Sequence, residues 1–92
     1  MAETYDVLIK AVSLTGKCSR GHKVGDEWVI RDNKTPEGLC VSAFQVMIPN
    51  ARLLMAGGSI PWSPNPEAHP MCCPDPKNNI VFELSRLPKQ SV

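Results

Sequence analysis

The sequence predicts an α+β fold: a small antiparallel or mixed β-sheet packed against one or two helices, with a long ordered proline-rich loop. Three observations carry this expectation. The segments TYDVLIKAVSL (4–14), EWVIRD (27–32) and IVFELSRL (80–87) are rich in β-branched and aromatic residues and alternate in polarity, as half-buried strands do. A central stretch repeats apolar residues every three or four positions, the period of one helix face. Residues 59–79 hold most of the nine prolines and so form neither a regular helix nor a central strand.

Taken in order, the first strand is expected at about 5–13 and the second at 27–32, joined by a loop that contains Gly16, Gly21 and Gly25. Glycine supplies left-handed backbone for tight turns, and KVGD before the second strand reads as such a turn. Then DNKTPEG gives turn chemistry followed by a helix start. Thr35 suits a cap, Pro36 the first helical position and Glu37 the first turn. The helix is expected over 36–48, with Leu39, Cys40, Ala43, Phe44, Met47 and Ile48 on its buried face and Pro49 interrupting it. NARLLMAGG continues it or forms a second helix, stopped by Gly57 and Gly58. The proline-rich segment carries too many apolar and cysteine residues for a linker and is read as a loop wrapping the domain. Ile80, Phe82 and Leu84 then share one face of a last strand, and PKQSV frays. The units are therefore 4–32 (β-loop-β), 35–57 (helical), 58–79 (loop) and 80–87 (strand) within a single domain, 1–92. Three strands leave open edges, which predicts a homo-oligomer.

Composition excludes several roles. With 92 residues the chain buries only about 60–65% of its unfolded surface, so a metal, a disulfide or a partner subunit is a welcome support. A formal net charge of +1 gives no electrostatic footprint for nucleic acid, and 5% aromatic content gives no stacking platform for single strands. MAETYDVLIK carries acids and no apolar core, so no secretory leader is expected, and no apolar run approaches the roughly 18 residues of a membrane span. A cytoplasmic setting follows. There thiols stay reduced, and four cysteines in so short a chain point to metal ligation or reactivity rather than disulfides.

The cysteines and histidines carry the functional reading. Cys18 and His22 stand four apart in GKCSRGHKVGD, Cys40 lies near the expected helix start, and Cys72-Cys73 precede PDP. If the long loop folds back across the helix start, Cys18, His22, Cys40 and Cys73 form a site of three thiolates and one imidazole. Such a donor set favours iron–sulfur or zinc over hard cations. Lys17, Arg20 and Lys23 flank the first pair and offset an anionic cluster, and a proline after a ligand cysteine also occurs in ferredoxin-type motifs. One centre rarely uses two adjacent cysteines, so Cys73 is taken as the ligand and Cys72 as its bystander. His69 is expected at the surface, and Trp28, Trp62 and Phe44 as core or interface anchors. Asp26 and Asp75 read either as orienting groups around a ligand or, more frequently, as turn formers. The bland alternatives are that Cys40 is a small buried residue on the helix face and that His22 bonds the backbone of its loop. There is no G-x-S-x-G, P-loop, G-x-G-x-x-G or H-E-x-x-H.

GKCSRGHKVGDEW, TPEGLCVSAF, GGSIPW and CPDPKNNIVFEL together resemble a family of small, functionally uncharacterised prokaryotic proteins of about 90 residues. Its members share a G-K-C-x-x-G-H-K-V-G-D-like opening, a G-x-C-x-x-A-F/W segment, a G-G-x-x-P-W turn and a closing C-P-D-P. The resemblance implies that Cys18, His22, Cys40 and Cys73 occupy motif positions, with Cys72 beside them. Here the opening reads C-x-x-x-H, one residue longer than the C-x-x-H of some metal motifs. Three such cysteines suit a cluster with one differentiated iron, or with His22 a Cys3His zinc. The expected function is a metal-binding protein, iron–sulfur ahead of zinc, with a redox or electron-transfer role and a redox protein partner. The alternatives are an oligomeric interaction module whose cysteines only pack, and a thiol enzyme in which Cys18 is the nucleophile and His22 the base.

Overall fold

A computed structural model describes residues 5–17, 21–32, 34–58, 68–73 and 77–87. Four strands and one helix occur among them: β1 (Val7–Leu14), β2 (Glu27–Ile30), α1 (Val41–Met55), β3 (Ala68–Cys72) and β4 (Ile80–Arg86). The sheet is antiparallel throughout, in the order β2-β1-β4-β3, which makes the fold α+β.

Period-two burial sets the register. Val7, Ile9 and Ala11 of β1 are buried, as are Ile80, Phe82 and Leu84 of β4, while Lys10 and Glu83 between them are exposed. Across the sheet Ile9 stands opposite both Trp28 and Leu84, and small Ala11 opposite bulky Phe82. The register of β1 against β4 shifts between Ala11 and Ser13, a bulge that falls at exposed Val12.

The helix buries Ala43, Met47, Ala51, Leu54 and Met55, a stripe at steps of three and four that packs on the inner sheet face. Fifteen residues rise about 22 Å, close to the length of β1, so α1 runs the length of the sheet. Its C-terminus is closed by paired glycines. The Gly58 N–H donates to the Leu53 carbonyl (2.9 Å) and the Gly57 N–H to that of Leu54 (3.1 Å), with Gly57 at φ +84°. This is the Schellman arrangement, which needs the left-handed backbone glycine allows. Arg86 adds two bonds from Nη1, to the carbonyls of Leu54 (2.9 Å) and Gly58 (2.8 Å). The Tyr5 N–H donates to the Met55 carbonyl (2.8 Å), so the helix C-terminus sits where β1 begins and β4 ends.

Three expectations are corrected. The helix starts at Val41, not residue 36, because Cys40 is extended (φ −57°, ψ 128°) and Gly38 is left-handed (φ +85°). Pro49 does not end the helix. It is exposed, as is Gln45, whose carbonyl loses the helix donor that Pro49 cannot supply. The buried stripe continues past it through Ala51, Leu54 and Met55, and that packing holds the helix together. Finally, the proline-rich segment is not wholly loop. Residues 68–72 form β3, a fourth strand, whose edge position tolerates Pro70. Residues 59–67 and 74–76 of the expected loop lie outside those described.

Candidate functional site

The antiparallel order brings the end of β1, the start of β2, the end of β3 and the start of β4 to one end of the sheet. The 15–26 connection and the 73–79 turn therefore leave from the same end. The helix starts there too, since the Cys40 N–H donates to His22 Nε2 at 3.1 Å. Three of the candidate ligands, His22, Cys40 and Cys73, thus belong to segments at one pole of the domain. Cys18 itself lies outside the described residues, as do Arg20, Trp62 and Asp75.

Cys73 is fixed by the turn that follows it. Its N–H donates to the Ile80 carbonyl (3.0 Å), and its Sγ accepts the Ile80 N–H (3.3 Å). Asn79 Nδ2 donates to the Cys73 carbonyl (2.8 Å) and lies 3.8 Å from the sulfur, while the thiol faces the Asn78 carbonyl at 3.6 Å. N–H groups aimed at sulfur are the environment that metal-bound thiolates use. The same asparagines hold the first loop: the Asn79 carbonyl accepts the Thr15 N–H (2.8 Å) and Asn78 Oδ1 the Lys17 N–H (3.0 Å). Asn78 and Asn79 were not singled out in the sequence. Their signal was the pair of turn-favouring residues directly before a strand.

His22 is 8% exposed and packs edge-on against Trp28 (centroids 4.7 Å apart), which packs edge-on against Phe82 (5.9 Å). The bond with Cys40 fixes its tautomer. Nε2 accepts, so Nδ1 carries the proton, and a neutral imidazole has one such lone pair. Ligation of a metal through His22 would have to break the bond to Cys40. His22 bonds backbone, but that of the helix start 18 residues on rather than that of its own loop.

The remaining candidates separate. Cys40 is half-buried at the N-terminus of α1, beside the core. Strand alternation turns Cys72 to solvent, whereas Cys73 packs against the core. His69, expected at the surface, is half-buried opposite Leu84 on the helix side of the sheet. Asp26 is a turn former: Oδ2 accepts the Lys23 N–H (3.0 Å) and its own N–H donates to the Lys23 carbonyl (3.1 Å). Among the described residues no three His, Cys, Asp or Glu side chains form a group that could hold a metal ion. No helix among them is long and apolar enough to cross a membrane. Comparison with protein-family models, curated proteins and solved structures found no match, so the functional reading rests on residues and geometry.

Proposed function

We propose that the chain is a cytoplasmic metal-binding protein that carries an iron–sulfur cluster on Cys18, Cys40 and Cys73. One observation supports this above the others: the segment that contains Cys18 is pinned at both margins to the other two cysteines' surroundings. Lys17, its direct neighbour, is bonded to Asn78 of the Cys73 turn, and His22 is bonded to the Cys40 amide. Four residues lie between those anchors, five steps of chain with a reach of at most about 18 Å. Because the His22 lone pair is engaged, the donor set is three thiolates with one position left to an outside ligand. Three cysteines suit a cluster with one differentiated iron, which would supply one-electron chemistry or a binding point. A Cys3His zinc would instead need His22 to leave Cys40. A second copy would pair through the edge strands β2 or β3.

Anaerobic purification of the full chain, followed by metal and sulfide analysis and a visible spectrum, tests this. Iron and sulfide with absorbance near ~400 nm support the cluster, given sulfur-ligated iron. Colourless protein with one equivalent of zinc replaces it with the zinc site. Folded, metal-free protein refutes both.

A further inference from the structure

Along the flank of α1, from Phe44 in its first turn to Met55 at its end, a cleft of about 200 Å³ opens between the helix and the turn after β2. Its floor is apolar: Ile30 and Met55 are 4% and 7% exposed, and Phe44 and Ile48 are half-buried. Its rim is cationic. Lys34 and Arg52 are both exposed there, as is Thr35.

Helix geometry explains the arrangement. Phe44, Ile48 and Arg52 follow one another at steps of four, forming a stripe beside the one that covers the sheet, and Met55 joins the two at the helix end. Lys34 is held on the other side by a bridge, its N–H donating to the Arg31 carbonyl at 3.0 Å. Arg31 itself is paired with Asp6 (3.2 Å). Among the described residues neither Lys34 nor Arg52 has an ion-pair partner, and none of the described residues lining the cleft is acidic. Two cations with no ion-pair partner among the described residues, above an apolar floor, are complementary to an anion with a hydrophobic body. The volume lies below the roughly 300–1,000 Å³ of sites for drug-sized molecules, which limits that body to one ring or a short chain.

We propose that this cleft binds a small organic carboxylate, with its apolar body on Phe44, Ile48 and Met55 and its carboxylate on Arg52 and Lys34. A guanidinium matches a carboxylate with two parallel hydrogen bonds, so Arg52 sets the orientation and Lys34 adds charge. No cysteine is among the described residues that line the cleft, and binding there does not depend on a metal.

The experiment is a titration of the isotope-labelled full chain with benzoate and with hexanoate, followed by amide NMR. Benzyl alcohol serves as the neutral match for benzoate and acetate as charge without a body. Saturable shifts confined to residues 34–35 and 44–55 are expected for benzoate or hexanoate, with weak responses to both controls. Arg52→Gln should weaken binding about tenfold or more, as loss of a charged hydrogen-bonding pair does, and Lys34→Gln should weaken it less. Both positions are exposed, so the variants should retain the wild-type fold, checked from the same spectra. The proposal is overturned by unshifted amides up to about 10 mM of both acids, a concentration well above a millimolar Kd. It is equally overturned if benzyl alcohol binds as tightly as benzoate, or if Arg52→Gln leaves affinity unchanged. Binding of a peptide with a free C-terminal carboxylate where neither acid binds would assign the cleft to a protein partner instead.

Discussion

His22 joins the first loop to the helix start, and replacing it by phenylalanine isolates what that join is worth. Phenylalanine keeps an aromatic ring against Trp28, 4.7 Å away in the wild type, and removes the Nε2 that accepts the Cys40 N–H at 3.1 Å. A half-buried donor that loses its partner costs about 1–3 kcal/mol. His22→Ala also loses the edge-to-face pair, another ~0.5–1.5 kcal/mol, so it should cost about 2–4 kcal/mol. A domain of 92 residues has about 5–14 kcal/mol in all, so both variants should fold and melt early. Urea unfolding of metal-free protein reads the change as a shift in midpoint at constant slope. Hydrogen exchange supplies the local readout: the Cys40 amide should lose protection in both variants, while amides of β1 and β4 keep their rank. The reasoning is refuted if His22→Phe stays within about 0.5 kcal/mol of wild type with the Cys40 amide still protected.

Other outcomes follow from the same geometry. Gly16 lies at φ +82°, and a Cβ there would meet the Asn78 side chain and lie 2.9 Å from the Lys77 carbonyl. Gly16→Ala should therefore cost about 2 kcal/mol or more, lowering Tm by about 8 °C or more. Gly21→Ala, at φ +80° with nothing within 4 Å, should cost only about 1 kcal/mol; equal losses in a thermal melt would contradict the packing of Gly16 on the Cys73 turn. Pro49→Ala should stabilise the domain by about 2 kcal/mol, since the helix already runs through the site and alanine restores a donor to the Gln45 carbonyl. A fall in the urea midpoint would show that Pro49 shapes the helix rather than being carried by it.

How much of this was legible in the sequence depended on how far apart the deciding contacts lie. The alternation of Val7, Ile9 and Ala11 and of Ile80, Phe82 and Leu84 is local, so β1 and β4 were visible in the residues themselves. The glycine pair at 57–58 likewise marked the helix end. The helix start was misread because Thr35-Pro36 is a sound local start signal, whereas Gly38 takes a left-handed turn just after it and Trp28 packs close to that glycine. β3 was hidden because prolines argue against strands, and only the strand order shows that Pro70 sits at an edge. At the candidate site the residue types were legible and their partners were not. Nothing in the spacing of Cys18 and His22 foretells that the imidazole serves the Cys40 amide, 18 positions away. The part played by Asn78 and Asn79 in tying the Cys73 turn to the first loop is equally non-local.

Metal stoichiometry across single cysteine variants tests the proposed centre most directly. Cys18→Ser, Cys40→Ser, Cys72→Ser and Cys73→Ser would each be purified without oxygen, with bound iron and sulfide measured per folded chain. A large loss is expected in the variants at 18, 40 and 73, and wild-type content in the variant at solvent-facing Cys72. Full loading that survives removal of Cys73, or loss that follows removal of Cys72, would contradict it.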